Sequence, residues 1–344
     1  MHYCAAFDSA KWALAYADTA VITFVWVDVE LAVFNLAGCS GKEAVTESTT
    51  QAAAATEATE AENNTYTFTD AHDREISMDK NPQKVVVLSG SFAEMWELAG
   101  GKLTGVTADA PEDRELNMEG VTIVGETTHK PNLETIVSLE PDFVILAADT
   151  EQHKALSESL DGMGITNAFF KVEFFDDYLS AMEIMTNLTG DKDAFTKNAE
   201  NAREKALEVI EMAKGKEGPT VLYMRAMTTN IKAKGDDHHT GVILRDLGCD
   251  NIVDRYDTLL DGISLEKVIE ADPDFIFYTT MGNDAKALAY LKENLESNPA
   301  WNELSAVKNG RFVQLPKEMF HYKPNAKWGE AYQYIYDIIY GETK

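Results

Sequence analysis

The feature that most constrains the fold is a segment that occurs twice in the chain. "NLETIVSLEPDFVIL" (132–146) and "SLEKVIEADPDFIFY" (264–278) align without a gap. Each copy begins with a short helical pattern, passes through a Pro-Asp turn and ends in an apolar run typical of a buried strand. Two copies of a helix that leads into a buried strand predict two α/β lobes built on the same plan.

The sequence around each copy extends this pattern. In the first half, "PQKVVVLSGS" has the composition of a buried strand, and "FAEMWELAGG" that of an amphipathic helix with a glycine stop. In the second half, "PTVLYMR" and "TGVILRDLGCDNIV" repeat the order of strand and helix. The alternation predicts an α/β fold with two Rossmann-like lobes, each having a mostly parallel sheet with helices on both faces.

One long helix is predicted between the two halves. The run "DKDAFTKNAENAREKALEVIEMAKGK" lacks proline, has glycine only near its end, and places small and apolar residues on one stripe. About 24 helical residues would span roughly 35 Å. We therefore predict an N-terminal lobe at 66–190, a single connecting helix at 191–215 and a C-terminal lobe at 216–344.

The first 65 residues have a different character. Leu-Ala-Gly precedes Cys39 and resembles the lipobox of bacterial lipoproteins, in which the cysteine carries lipid after cleavage. Residues 1–38 form an atypical signal-like leader, because Lys11 is its only basic residue and Asp28 and Glu30 interrupt the apolar run. Residues 39–65 are rich in Ala, Thr and Glu, which predicts a flexible tether. The alternative is a cytoplasmic protein with an irregular amphipathic leader.

Charge and cysteine usage exclude several classes of function. The 58 acidic and 30 basic residues give a net charge of −28, which argues against binding nucleic acid or an anionic membrane surface. The chain has three cysteines, and they do not suggest a disulfide framework. A strongly acidic protein is well matched to a partner that presents arginines.

Several motifs together resemble a known family. Residues 81–341 contain "KVVVL", "ELAGGKLTGV", the two copies of the repeat and "NPAWNELSAVKNGRFVQLP". These resemble the substrate-binding proteins of bacterial ABC importers for cobalamin, haem and ferric siderophores. The resemblance implies a monomeric, extracytoplasmic protein, anchored by lipid on Cys39, that captures its ligand between two lobes. It implies no intrinsic cofactor. A ferric siderophore is the favoured ligand, with haem or cobalamin as the alternatives.

The resemblance also assigns a role to one glutamate in each copy of the repeat. In the family, one glutamate on the tip of each lobe pairs with arginines of the permease dimer. By motif position these residues are Glu134 and Glu266. The residues alone permit a simpler explanation, in which a carboxylate in the first turn, behind Asn132 or Ser264 as N-cap, complements the helix dipole.

The residues that hold the ligand are predicted in the loops that follow the strands. Anionic iron complexes favour arginine, and tyrosine or histidine can fill an open site on iron. The candidates are Arg225, His238, His239, His321, Tyr322 and His129. Each has a structural alternative: the histidine pair lies where a capped helix begins, Arg225 could pair with a surface carboxylate, and His129 could be an ordinary exposed residue.

Two other functions are less compatible with the sequence. Direct capture of zinc or manganese by a related importer component would need ligand-spaced histidines, but the seven histidines show no such pair. An enzyme acting in the same cleft is disfavoured because the sequence has no nucleophile elbow, phosphate-binding loop or dinucleotide fingerprint. The sequence therefore predicts a binding protein and not an enzyme.

Overall fold

The computed structural model of the chain describes residues 64–341. The predicted leader, the lipidation site at Cys39 and the tether up to residue 63 lie outside these residues. Within residues 64–341, no helix is long and apolar enough to span a bilayer.

An antiparallel hairpin opens the described chain, and a parallel sheet follows it. The hairpin pairs β1 (Thr65–Thr69) with β2 (Glu75–Asp79). The sheet contains β3 (Val85–Val87), β4 (Leu103–Val106), β5 (Thr122–Ile123), β6 (Phe143–Ala147) and β7 (Asn167–Phe170). Its spatial order is β5-β4-β3-β6-β7, and all neighbours are parallel. The order reverses between β3 and β6, which is where ligands bind in open α/β sheets.

A second sheet repeats the plan in the other half. It contains β8 (Thr220–Ala226), β9 (Ile231–Ala233), β10 (Asp250–Asn251), β11 (Phe275–Thr280) and β12 (Phe312–Gln314). Strands β10, β8, β11 and β12 lie side by side and parallel, whereas β9 pairs antiparallel with the end of β8. The reversal of strand order here lies between β8 and β11.

Helices cover both faces of each sheet. Those of the first half are α1 (Gly90–Leu98), α2 (Ala110–Asp113), α3 (Leu133–Ser138), α4 (Glu151–Gly162) and α5 (Phe175–Thr189). The connection contains α6 (Lys192–Phe195) and α7 (Asn201–Ala213). Those of the second half are α8 (His239–Asp246), α9 (Leu265–Ala271), α10 (Asp284–Leu291), α11 (Ser305–Lys308), α12 (Lys317–Phe320) and α13 (Trp328–Tyr340). The α/β fold with two Rossmann-like, mostly parallel sheets is therefore confirmed.

The connecting helix is continuous but not uniform. The chain is helical from Lys192 to Ala213, with a π-helical turn at Thr196–Glu200 between α6 and α7. The small residues of the predicted stripe, such as Ala202 and Ala206, are buried. The sequence predicted the helix and its buried stripe, but periodicity gave no signal for the π-helical turn.

The repeated segment has the same construction in both lobes. Glu140 and Asp272 both have positive φ, at 50° and 39°, where the helix ends before the shared proline. In each copy the residue after that proline is an aspartate, which links the strand that follows it (β6 or β11) to the start of the neighbouring strand (β3 or β8). Asp142 accepts from the backbone N–H groups of 83 and 84 at 2.7 and 2.9 Å, and Asp274 accepts from the N–H and hydroxyl of Thr220 at 2.9 and 2.7 Å.

The inner faces of the two sheets share one apolar core. This core joins Val85 and Val87 of β3 to Val221 and Tyr223 of β8, together with helices α5, α7 and α13. The outer face of each sheet has a separate apolar cluster of its own. A continuous core through both lobes favours limited relative motion, because close-packed interiors resist gradual deformation.

Candidate functional site

The C-terminal lobe presents a positively charged group at the ends of its central strands. Arg225 lies near the end of β8, paired in register with Thr279 of β11. Its Nη2 donates to Nδ1 of His321 at 3.0 Å and contacts Sδ of Met281 at 3.1 Å, while its buried Nε has no hydrogen-bond partner. Among residues 64–341, no carboxylate lies within ion-pair distance of this guanidinium. Arg225 is therefore a half-buried cation that lacks an anionic partner.

The contact with Arg225 determines the tautomer of His321. Arginine has only hydrogen-bond donors, so Nδ1 of His321 must accept and its proton lies on Nε2. Burial, followed by the charges of Arg225 and Lys317, lowers the pKa of His321 to about 3. The imidazole is therefore neutral at physiological pH.

Further cations surround this pair. Lys317 donates to a carboxylate oxygen of Asp284 at 2.9 Å, so its charge is neutralised locally. Lys323 is half-buried, and its Nζ donates to the backbone oxygen of Glu173 at 3.3 Å. Burial lowers the pKa of Lys323, and Arg225 lowers it further. The positive charge left over on this face suits an anionic ligand.

The two adjacent histidines hold the start of α8. His238 is the N-cap residue, and its Nδ1 accepts from the N–H of Thr240 at 3.2 Å. His239 is completely buried and its Nε2 donates to the backbone oxygen of Met319 at 3.2 Å. The helix begins here because Gly241 permits close approach: a β-carbon at this position would lie 1.9 Å from the oxygen of Gly235.

These positions show how far each histidine of the predicted ligand set is enclosed. The side chain of His239 is fully enclosed in this structure, and its contact with ligand stays a prediction. The N-cap of helix α8 is His238 itself. His238 is 7% exposed. Burial lowers its pKa, and the nearby charges of Arg225 and the lysines lower it further. Its contact with ligand stays a prediction.

Tyr322 is engaged between the lobes. Its hydroxyl donates to the carboxylate of Asp113 in the first lobe, and the Arg114 guanidinium lies 5.3 Å from its ring centroid. Burial and the bond to Asp113 raise its pKa. The hydroxyl therefore makes a contact between the lobes in this structure, and its contact with ligand stays a prediction.

The sequence did not single out the residue at the centre of this contact. Arg114 is buried, forms an ion pair with Glu94 at 3.0 Å and donates to the hydroxyl of Ser91 at 2.7 Å and to the backbone oxygen of Lys323 at 2.8 Å. Nearby, Nδ2 of Asn325 donates to the backbone oxygen of Ser91 at 3.1 Å. The bonds join loops far apart in sequence, so no local pattern could have revealed them.

His129 is not hydrogen-bonded to this group of residues. It is exposed in the loop that precedes α3, and no hydrogen bond joins it to Arg225 or His321. The buried His153 fixes that loop instead: its Nδ1 accepts from the N–H of Ala147 at 2.9 Å and its Nε2 donates to the backbone oxygen of Thr128 at 2.8 Å. Burial lowers the pKa of His153.

The two glutamates of the repeat occupy matching positions. Glu134 lies in the first turn of α3, where the Asn132 side chain accepts from the N–H of Thr135 at 2.9 Å. Glu266 lies in the first turn of α9, behind Ser264 as N-cap. Both carboxylates are exposed, and neither forms an ion pair within the described chain. The same short helix therefore presents an unpaired carboxylate on each lobe.

No compact metal centre accompanies these residues. Within residues 64–341, no group of three or more histidine, cysteine, aspartate or glutamate side chains is close enough together to hold a metal ion.

The profile of the periplasmic binding protein family matches residues 85–319, which include both sheets and the candidate site. The chain belongs to the periplasmic binding protein family. This confirms the family resemblance that the sequence motifs indicated.

Relatives of this periplasmic binding protein share most of its length. The chain is 29% identical over 260 residues to the Fe(3+)-citrate-binding protein YfmC of Bacillus subtilis, covering 72% of this chain and 78% of that protein. It is 25% identical over 260 residues to the putative ABC transporter substrate-binding lipoprotein YhfQ of the same organism, covering 71% and 79%. The structure of the iron uptake ABC transporter substrate-binding protein PiuA from Streptococcus pneumoniae matches with a TM-score of 0.62 at 19% identity, covering 80% and 98%.

Proposed function

We propose that this chain is the extracytoplasmic substrate-binding component of an ABC importer and that it captures an anionic iron complex between its lobes. The observation that carries the proposal is the half-buried Arg225 guanidinium, which has no carboxylate partner among residues 64–341 and lies beside neutral His321. Relatives named for ferric citrate and iron uptake support iron as the cargo. A ferric complex with outer carboxylates fits the charge best, because it can supply the missing anion.

The positive charge of the candidate site ranks the three ligands that the sequence left open. Ferric carboxylate complexes and haem both carry carboxylates that can accept hydrogen bonds from Arg225, whereas cobalamin is close to neutral. A cation without a partner at the carboxyl ends of the strands is expected to bind an anion. We therefore favour a carboxylate-type ferric siderophore, with haem as the second candidate.

The exposed glutamates complete the proposal. We infer that Glu134 and Glu266 contact arginines of the permease dimer, one from each lobe, while a lipid on Cys39 anchors the monomer to the membrane through the tether. The support is that both carboxylates are exposed and unpaired, and that the relative YhfQ is named as a lipoprotein. The division into lobes at 66–190 and 216–344, with a connecting helix at 191–215, is part of the same proposal.

A ligand titration tests the cargo. The purified chain has tryptophans whose fluorescence reports binding, and the titrants are ferric citrate, ferric catecholate, ferric hydroxamate, haem, cobalamin, zinc and manganese. We expect ferric citrate or another anionic ferric complex to bind most tightly. Tightest binding of cobalamin, or binding of zinc or manganese alone, would contradict the proposal.

A further inference from the structure

The outer faces of α3 and α9 carry more than a glutamate. In both helices an aliphatic residue follows the glutamate by three positions: Val137 after Glu134, and Ile269 after Glu266. Residues three apart on a helix lie on the same face. Each lobe therefore presents a carboxylate and a β-branched side chain side by side.

These aliphatic side chains do not belong to the core. Ile269 is 41% exposed and Val137 is half-buried, and neither packs into an apolar cluster. The neighbouring Ile136 and Val268 are fully buried and hold the helices in place. Leu260, just before α9, is also exposed at 36%. Core packing therefore does not explain why an aliphatic residue lies on this face in both lobes.

We propose that each lobe docks on the permease through a two-part contact, in which the glutamate pairs with a guanidinium and the adjacent aliphatic residue is buried against apolar side chains. This inference rests on the proposed docking role of Glu134 and Glu266. Neither carboxylate forms an ion pair within residues 64–341, and Lys267, the one cation in α9, is paired with Glu270 at 2.8 Å. The occupant is therefore a protein surface that presents arginine beside apolar groups.

Energetics explain why the second part is needed. An exposed ion pair contributes little and is screened by salt. Apolar burial is proportional to the area removed from water and is not screened. A contact that combines both is expected to keep part of its strength at high salt.

The test measures docking of the ligand-loaded chain to its permease in nanodiscs, at low and at high salt. The double variant Val137→Ser/Ile269→Ser should dock about ten- to fifty-fold more weakly at both salt concentrations, because two small apolar contacts are lost. The matched control is Leu207→Ser on α7, which is 46% exposed and lies away from the repeat; it should dock like the wild type. Ile269→Thr keeps the β-branched shape and serves as the control for misfolding. Ligand affinity should be unchanged in every variant.

Each outcome has a distinct meaning. If the serine variant docks like the wild type while Glu134→Ala/Glu266→Ala does not dock, the two-part contact is wrong and the docking glutamates stand. If both double variants dock normally, the docking role itself fails. If the serine substitutions weaken binding to protein-free lipid vesicles and leave permease docking intact, the partner is a membrane surface and the inference is overturned.

Discussion

At the scale of single residues, the candidate site depends on an arginine held by weak acceptors. Arg225 contacts a neutral imidazole and a thioether, and neither neutralises its charge. Hydrogen bonds to charged groups contribute about 1.5–3 kcal/mol, roughly twice the neutral kind. A ligand carboxylate would therefore replace a poor partner by a strong one, which gives the site its preference for anions.

Removing this guanidinium should weaken ligand binding. We expect Arg225→Ala to lower the affinity for ferric citrate by about 10- to 100-fold, the equivalent of one charge-assisted hydrogen bond. Arg225→Lys should recover part of the affinity because it keeps the charge but loses the planar donor geometry. Arg255→Ala, which removes a surface arginine paired with Asp250, is the matched control and should bind normally. Unchanged affinity in Arg225→Ala, measured by calorimetry, would refute the assignment.

The buried imidazole predicts a specific dependence of stability on pH. The unfolded chain takes up the His321 proton near pH 6.5, whereas the folded chain does so only near pH 3. Lowering the pH across this window therefore favours the unfolded chain, by up to about 1.4 kcal/mol per pH unit for this one group. His321→Gln keeps an acceptor for Arg225 and cannot titrate, so its unfolding free energy should fall less between pH 7 and pH 4. Parallel pH profiles of the two proteins would show that His321 is not buried as described.

The candidate residues differ in how much of their surroundings the local sequence can reveal. Arg225 lies near the end of β8, and strand ends can be read from local apolar patterns, whereas His321 follows the short helix α12. The full burial of His239 cannot be predicted from the sequence, because a pair of histidines before a helix gives no signal of how deeply each ring is buried. The roles of Arg114 and Tyr322 depend on contacts between distant loops, which one sequence does not encode locally.

At the scale of elements, the aspartate of each repeat ties a strand to its neighbour. Asp274 forms reciprocal bonds with Thr220, because its own N–H also donates to that hydroxyl at 3.0 Å. Asp142 makes the equivalent bonds to backbone at a more exposed position. The sequence predicted the helix, turn and strand of this segment. It did not predict what the aspartate binds, since the partner is a strand more than fifty residues away in either lobe.

Loss of this tie should cost more in the second lobe. We expect Asp274→Ala to lower the free energy of unfolding by about 1–3 kcal/mol, because the partly buried N–H and hydroxyl of Thr220 lose their acceptor. Asp142→Ala should cost about 0.5–1.5 kcal/mol, because water can replace an exposed acceptor. Denaturant unfolding gives both values, with Glu208→Ala on the exposed face of α7 as control. A smaller loss in Asp274→Ala than in Asp142→Ala would contradict this explanation of the repeat.

At the scale of the whole molecule, two features connect the lobes. An apolar core runs from β3 to β8 through the connecting helix, and a polar contact joins Arg114 to the loop at Lys323. Sequence periodicity predicted the two lobes and the helix. It could not predict that the lobes share a core, because that depends on how the two sheets face each other.

The polar contact should limit how far the lobes separate. Arg114→Ala removes the ion pair with Glu94 and the bond to the backbone of Lys323, so we expect a loss of about 2–4 kcal/mol in unfolding free energy. Solution scattering should show a larger radius of gyration in the absence of ligand. Tyr322→Phe, which removes only the bond to Asp113, should have a smaller effect on both. Unchanged scattering of Arg114→Ala would mean that the apolar core alone sets the arrangement of the lobes.

The central claim is that an anionic iron complex binds between the lobes against Arg225. The most direct measurement is a crystal structure of the chain grown with ferric citrate, with anomalous diffraction recorded at the iron edge. We predict an iron peak between the ends of β8 and β11 and the first lobe, with a ligand oxygen within hydrogen-bond distance of the Arg225 guanidinium. An iron peak elsewhere on the chain, or a ligand in the cleft that leaves Arg225 without an anionic partner, would contradict it.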